Sequence, residues 1–375
     1  MKLRYLTIFL SVLAMATSNV NATEIYNKDN SKIDLFGQLT GLHYLSHDKD
    51  LSGDQSNISY GIYAETPLND KLNAFGVWEY KAMLHSSQNR ITQDHKTVLG
   101  YAGVNIGEHA KFDFGKNFGI MHDIGSWTSQ SQEFGRHVSC IDNFFSSRSA
   151  NIATYRNDNF FGLVDNLNVA IQYQGKNNNL YKNPNKKVIR EFGGEGYGFS
   201  MIYDFKNGIY AGAAYTSVNA NNNQQFLQIE EKHTKDSEAY SLGIKYEIDN
   251  TYFAILYGET RNITPFGKND NNPVSLNNLY GLINKAKNIE FLAQYEFESG
   301  LRPSIGYVHS QWKDKSSGER QKLKEHLEIG TSYVFNKNIT TFINYQINLL
   351  KDNYFLRASS ISTDNIVALG MSYVF

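Results

Sequence analysis

The sequence predicts an all-β protein: a sixteen-stranded antiparallel transmembrane β-barrel with short periplasmic turns, long extracellular loops and an inward-folded third loop. Three observations support this fold class. Apolar and polar residues alternate along most of the chain, which is the pattern of strands with one apolar face. Seven tight turns recur between aromatic strand ends. The mean hydropathy is only −0.46, although the chain holds 25 Tyr and 23 Phe.

Residues 1–22 have the layout of a secretory signal peptide, which leaves 23–375 as the barrel domain. Lys2 and Arg4 precede a short apolar stretch, and Val20-Asn21-Ala22 provides a small-residue cleavage site. The apolar stretch is shorter than the roughly 20 residues that a membrane-spanning helix needs. A buried N-terminal helix is the alternative interpretation. We expect the chain to be exported.

The last ten residues show the strand alternation. One face is large and apolar and the other is small or polar: Val367, Leu369, Met371, Tyr373 and Phe375 against Ala368, Gly370 and Ser372. The ranges 58–65 and 111–118 alternate in the same way. A hydrophilic or glycine face opposite an apolar face is expected where strands separate lipid from a wet lumen.

The turns give the number of strands. They are expected at Pro67–Lys71, Ile106–Ala110, Gly162–Asn166, Phe205–Gly208, Ile248–Thr251, Glu298–Leu301 and Asn336–Asn338. These seven turns divide the mature chain into eight segments, each of two strands joined by a longer polar connection. Sixteen strands with short turns on one side match outer-membrane barrels. A soluble β-sandwich or propeller is the alternative, but the 41% hydrophobic content is low for it and no blade motif repeats.

Composition and motifs argue against nucleic-acid binding, a metal or cofactor site and catalysis. A formal charge of −1 lacks the basic excess of nucleic-acid-binding proteins. One cysteine, Cys140, excludes an intrachain disulfide and a paired-cysteine metal site. The glycine-rich run 193–198 continues as a strand rather than a helix, so it does not match a dinucleotide site. We predict no catalytic residue, no metal and no cofactor, and therefore no enzyme.

The third long connection, from about Gly119 to Ser149, is the most informative loop. Charged residues accompany four aromatic ones in it: Glu133, Arg136, His137, Asp142 and Arg148 with Trp127, Phe134, Phe144 and Phe145. A structureless connection of ~30 residues is usually functional or disordered. Because aromatic side chains need a surface to pack on, we expect the loop to pack against another part of the protein, and folding into the barrel would narrow the lumen.

Several motifs resemble the general diffusion porins of enterobacteria, over essentially the whole mature chain. They are Glu24–Asp29, Phe112–Gly119, Glu133–Gly135, Ala153–Asn157, Phe160–Asp165 and Asn365–Gly370. The resemblance implies a homotrimer in the outer membrane, in contact with lipid and lipopolysaccharide, that passes small hydrophilic solutes and ions by diffusion. The terminal Phe375 is similar to the signal that such barrels present to the outer-membrane barrel assembly machinery.

The same resemblance implies a charged constriction. In that family two carboxylates of the third loop face arginines and a lysine on the opposite wall. Glu133 matches one loop acid and Arg148 one wall arginine. The remaining positions hold neutral residues here: Ser129 for the other acid, Ser59 and Val98 for two arginines, and Gln38 for the lysine. We therefore expect a weaker transverse field and weaker charge selection. The loss of the constriction charges has two possible origins, adaptation of the pore or drift in amino-acid composition.

Four further positions complete the expectation. Arg136 and His137 stand in the loop where small or acidic residues are usual, and Arg136 is a candidate lining residue. Lys116 matches an interface arginine that receives a neighbour's latching loop, but no latching acid is evident in 82–96. Cys140 is either a packed small residue or a thiol exposed to the lumen.

Two other functions stay open at this point. A substrate-specific channel would need a track of aromatic side chains along the lumen, whereas the clearest aromatic stripes here have outward parity. A barrel with a structural or adhesive role would show no ion conductance.

Overall fold

The computed structural model describes residues 22–85, 95–131, 133–135, 144–176, 194–219, 236–267, 281–313, 318 and 320–375. Sixteen long strands form its wall: β2 (Ser31–Ser46), β4 (Asn57–Asn69), β5 (Leu72–Met83), β6 (His95–Ile106), β7 (Ala110–Phe118), β8 (Arg148–Asn157), β9 (Leu167–Gln174), β10 (Gly196–Asp204), β11 (Ile209–Val218), β12 (Ser237–Ile248), β13 (Thr251–Arg261), β16 (Ala286–Tyr295), β17 (Leu301–Lys313), β18 (Arg320–Val334), β19 (Ile339–Asn348) and β20 (Ile366–Val374).

Short elements accompany the wall. They are strands β1 (Thr23–Lys28), β3 (Gly53–Asp54), β14 (Pro265–Phe266) and β15 (Gly281–Leu282), helices α1 (His122–Gly125) and α2 (Tyr354–Ala358), and a 3-10 turn over Asp158–Gly162. β14 and β15 pair only with each other. Among the described residues, none of the helices combines the length and the apolar character needed to cross a membrane.

The wall is a closed antiparallel barrel. Each long strand pairs with its neighbour in sequence, and β20 pairs with β2 from Gln38↔Val374 to Ser46↔Ile366. Closure leaves no strand edge, so the backbone groups of the wall find their partners within the sheet. The predicted sixteen-stranded barrel is confirmed.

β1 and β20 lie end to end along β2. β1 pairs with the start of β2 from Thr23↔Leu35 to Lys28↔Ser31. Just beyond it, Gly37 and Phe375 exchange both backbone hydrogen bonds, at 2.9 and 3.0 Å. A Cβ at residue 37 would overlap the ring of Phe375, so a larger residue there would displace that ring. The sequence did not predict β1.

The seven turns lie where the sequence predicts them, all at one end of the barrel. Exposed aromatic pairs mark the same end: Tyr203–Phe205, Tyr295–Phe297 and Tyr333–Phe335. In each pair the ring centroids are 4.8 Å apart and the rings are nearly perpendicular. The repeated edge-to-face geometry is favourable for aromatic rings. These pairs form the aromatic girdle expected at a membrane interface.

The predicted faces of β20 are also confirmed, whereas Phe118 differs from its predicted face: after the register shift between Gly115 and Asn117 it packs on the inward-facing cluster of Phe75, Leu99 and Tyr101. In β20, Leu369, Met371 and Tyr373 are exposed on the outer surface, while Ala368 and Ser372 are buried. On β20 the outer face is therefore apolar and the inner face is small or polar. The signal-peptide prediction for 1–22 concerns residues that, apart from Ala22, lie outside the described part of the chain.

Candidate pore constriction

The loop that follows β7 lies inside the barrel. Its apolar side chains are fully or almost fully buried: Ile120, Met121, Ile124, Trp127, Phe144 and Phe145. They pack on small or aliphatic residues of the inner wall: Ala170, Ala214, Ala239, Ala254 and Leu256. The loop aromatics thus have the packing surface that the sequence analysis expected, and the inward-folded third loop is confirmed.

The inner wall carries very small side chains where this loop lies against it. A Cβ on Gly243 would lie 2.7 Å from Cγ2 of Ile124 and 3.0 Å from Cε3 of Trp127. A Cβ on Gly212 would lie 2.7 Å from Cη2 of Trp127. Contacts below 3 Å would force the loop to move. Glycine and alanine on the inner face of β9–β13 therefore make room for α1 and for the indole that follows it.

The start of the loop is fixed to β8, β9 and β10. Both terminal nitrogens of Arg156 donate to the carboxylate of Asp123, at 2.8 and 2.9 Å. The hydroxyl of Ser200 donates to the same carboxylate at 2.6 Å. The Gln172 side chain accepts from the backbone N–H of Ile120 at 2.8 Å. Charge-assisted two-point contacts of this kind are the strongest of the ordinary hydrogen bonds.

The middle of the loop is bonded to strands farther round the wall. The Tyr252 hydroxyl donates to the carbonyl of Trp127 at 2.6 Å. The Thr128 hydroxyl donates to Glu290 at 2.6 Å and the Ser131 hydroxyl to Glu328 at 2.7 Å. Glu328 also accepts from Phe134 N–H and from the Asn344 amide. These hydrogen bonds follow one path across β13, β16 and β18.

The described tip of the loop reaches β2. Tyr44 donates its hydroxyl to the carboxylate of Glu133 through a short hydrogen bond. The ring centroids of Tyr44 and Phe134 are 5.5 Å apart, and Phe134 belongs to a buried cluster with Leu42, Phe342, Ile366 and Ala368. From Arg156 to Tyr44 the loop therefore crosses the lumen, and Glu133 lies at the far side of that crossing.

The other loop positions named by the sequence are distributed along it. Ser129 follows α1 and donates its hydroxyl to the Gly125 carbonyl at 3.0 Å. Arg148 begins β8, and its guanidinium lies 5.2 Å from the ring centroid of Phe118. Arg136 lies outside the described residues, as do His137 and Cys140.

The wall positions named by the sequence lie on β2, β4 and β6. Gln38 and Ser59 are direct ladder partners. Gln38 donates to Ser372 at 3.1 Å and to Thr40 at 3.2 Å, and Ser59 donates to Glu79. Val98 is the extra residue of a β-bulge in β6 and is only 2% exposed. Its side chain therefore contributes almost nothing to the surface of the lumen.

Several residues of this region were not anticipated from the sequence. Asp123, Arg156, Glu290, Glu328 and Tyr44 hold the loop. Lys81 and Lys96 extend the row of Gln38 and Ser59 along the wall. For Arg156, Glu290, Glu328 and Lys81 the available signal was inward parity: a charged side chain on the lumen face of a strand marks either the pore lining or a loop anchor.

Lys116 lies in the bulge at the end of β7. It follows the exposed Phe112 and Phe114 at the same parity, which indicates the outer wall. Its ammonium donates to the Thr97 carbonyl at 2.8 Å. Within the described part of the chain, no group of three or more His, Cys, Asp or Glu side chains could hold a metal ion.

Comparisons with known proteins agree with this architecture. Residues 28–375 match the family model described as Gram-negative porin. The chain is 42% identical to outer membrane protein F of Serratia marcescens and 41% identical to outer membrane porin C of Salmonella typhimurium, with 100% of each chain covered. The solved structure of a Salmonella typhi OmpF complex with daunomycin matches 94% of this chain and 100% of its own, with a TM-score of 0.82 and 34% identity.

Proposed function

The chain belongs to the Gram-negative porin family, and we propose that its loop 119–149 forms the constriction that filters the solutes. The protein is an outer-membrane porin that forms a water-filled channel for passive diffusion of small hydrophilic solutes and ions, and it is not an enzyme. The observation that supports the constriction is the crossing of the lumen, from the Asp123–Arg156 pair to the Glu133–Tyr44 contact.

The constriction has an acidic loop side and a wall of mixed character. Glu133 is the loop carboxylate, and Arg148 is the wall arginine retained from the family pattern. The neutral positions Ser129, Ser59, Val98 and Gln38 replace charges that the family resemblance implies. The assignment of Arg136 as a further lining residue rests on that resemblance alone.

The channel assembles as a homotrimer in this proposal. An aromatic group on the outer face of β4 and β5 supports it: the Tyr60 centroid lies 6.0 Å from that of Trp78 and 5.8 Å from that of Tyr80, and Trp78 is exposed. Lys116, at the outer end of β7, is the residue that receives the neighbouring protomer. Chemical crosslinking of detergent-purified protein should yield a three-protomer species.

Partners outside the trimer follow from the resemblance. The apolar outer wall contacts outer-membrane lipid and lipopolysaccharide, and Phe375 serves as the signal for the barrel assembly machinery. Residues 1–22 direct export and are removed. Protein purified from outer membranes should therefore begin near Thr23, which N-terminal sequencing would check.

Conductance in a planar bilayer tests the channel function. The purified protein should open in steps whose conductance rises in proportion to the conductivity of the salt solution, as expected for a wide wet pore. Conductance that saturates with one particular solute would instead favour a substrate-specific channel. A barrel that inserts without conducting would favour a structural or adhesive role.

A further inference from the structure

We propose that Lys81 and Lys96 add positive charge to the constriction wall beside Arg148, in place of the two positions, Ser59 and Val98, at which the family resemblance expects arginine. The inference rests on the constriction proposed above and names two specificity-determining residues for it. It revises the expectation of a weaker transverse field, which counted the neutral Ser59, Val98 and Gln38 on the wall but did not count these two lysines.

One row of ladder partners carries the inference. Gln38 of β2 is directly opposite Ser59 of β4, Ser59 is opposite Lys81 of β5, and Lys81 is opposite Lys96 of β6. Directly opposed residues of an antiparallel ladder point to the same face of the sheet. The four side chains therefore form one transverse row, which is neutral on β2 and β4 and cationic on β5 and β6.

The row faces the lumen. Ile62 and Trp78 are directly opposed and both are exposed on the outer wall. Strand residues alternate between the two faces, so 79 and 81 point inward together with Ser59. The register between β4 and β5 is regular from Asn57↔Met83 to Pro67↔Asn73, so no bulge on this side reverses the face of Lys81.

The β-bulge in β6 determines the orientation of Lys96. Glu79 pairs with Leu99 and Tyr80 pairs with Thr97, which leaves Val98 as the extra residue. In a regular ladder Lys96 would stand opposite Ala82 and would point outward. With the bulge it stands opposite Lys81 and points into the lumen. Bulges commonly re-aim side chains in this way. Val98, which stands at an expected arginine position, thus orients a cation that lies two residues before it.

The electrostatic repulsion between the directly opposed Lys81 and Lys96 favours a functional reason for their positions. Like charges directly opposite each other in a ladder are unfavourable. The wall nevertheless keeps two ammonium groups in register, on a face where Glu79 accepts the hydroxyl of Ser59. Two cations on one side of a narrow pore with the carboxylate of Glu133 on the loop side preserve a transverse field across the path of the solute.

Reversal potentials in planar bilayers test the proposal. The variants are the double charge reversal Lys81→Glu with Lys96→Glu, and the double conservative change Lys81→Arg with Lys96→Arg. The control is Lys313→Glu, which makes the charge change of one of the two reversals at the end of β17. Lys313 alternates with the buried Trp312 and pairs with Arg320, which places it on the outer wall. Unheated gel migration of each variant reports whether the barrel is folded.

The charge reversal should raise the ratio of potassium to chloride permeability about fivefold under a salt gradient, because two like charges in the pore change sign at partly screened distances. The arginine variant and Lys313→Glu should keep the wild-type ratio. A folded, conducting double-glutamate variant with the wild-type ratio would overturn the proposal. So would an arginine variant that shifts the ratio as much as the glutamate variant does. If the wild-type protein does not conduct at all, the channel function fails instead.

Discussion

Arg156 of β8 and Asp123 of α1 form a two-point ion pair that joins the wall of the barrel to the loop inside it. The guanidinium nitrogens lie 2.8 and 2.9 Å from the two carboxylate oxygens, and Ser200 donates a third hydrogen bond to the same carboxylate. The pair fixes the first turn of the loop against the wall. The position of the constriction therefore depends on a contact that lies at the start of the loop, away from its tip.

Replacing Arg156 by Gln should loosen the start of the loop. The carboxylate of Asp123 would keep the Ser200 bond but lose its charged partner. Because the Arg156 side chain is partly exposed, the free energy of unfolding should fall by only about 1–3 kcal/mol. We expect noisier single-channel currents and a lower temperature of thermal unfolding. Arg261→Gln is the matched control, since Arg261 pairs with Glu238 and Glu259 at the end of β13 and away from the loop. Equal current noise in both variants would contradict the anchoring role.

Gly243→Val should push α1 off the wall. The added side chain would overlap Ile124 and Trp127, and overpacking of this kind costs about 1–3 kcal/mol. Because the loop can yield only toward the lumen, single-channel conductance should fall. Gly76→Val serves as control, since a Cβ at residue 76 meets nothing within 4 Å. A Gly243→Val channel with unchanged conductance would show that the wall does not set the position of the loop.

Glu133→Gln should lower the preference of the channel for cations. Loss of one carboxylate from the lumen should reduce the ratio of potassium to chloride permeability about two- to fivefold, measured as a reversal potential. Tyr44→Phe keeps the charge and removes only its hydrogen bond, so it should change this ratio less. Glu298→Gln makes the same change in a short turn outside the lumen and should have no effect. If Glu133→Gln behaves like Glu298→Gln, Glu133 is not part of the filter.

Gly37→Val should impair closure of the barrel. The added side chain would meet the ring of Phe375, whose backbone is bonded to residue 37 at the junction of β20 with β2. We expect a smaller folded fraction, seen as reduced heat-modifiable migration on a gel. Gly41→Val is a close control: it lies on the same strand and the same face, and a Cβ there meets nothing within 4 Å. Similar folded fractions for the two variants would argue against a special role of this junction.

The sequence predicts the wall well because local signals determine it. A side-chain period of two and the chemistry of tight turns located all seven turns and the outward stripe of β20. The aromatic residues of the third loop predicted that it packs, since Trp127, Phe144 and Phe145 need a surface, and the family resemblance implied that it folds inward. β1 was missed, because a six-residue strand beside a signal peptide carries too short a pattern to stand out.

The anchors of the loop could not be predicted in the same way. Thr128 bonds to Glu290 and Ser131 to Glu328, at separations of 162 and 197 residues. Such contacts depend on the closed barrel and leave no local spacing in the chain. The orientation of Lys96 depends on one bulge, so its lumen face follows from the register and cannot be derived from parity alone.

The width of the constriction can be changed at residues that no solute contacts. These residues are Gly212, Gly243 and the alanines behind α1. Each methyl group gained on this buried surface would shift the loop toward the pore axis and narrow the pore. Each methyl group lost would let the loop move back and widen it. Channels of different bore could thus evolve from one barrel while every residue in contact with the solute stays the same. A comparison of porins restricted to the residues that line the pore would miss that variation.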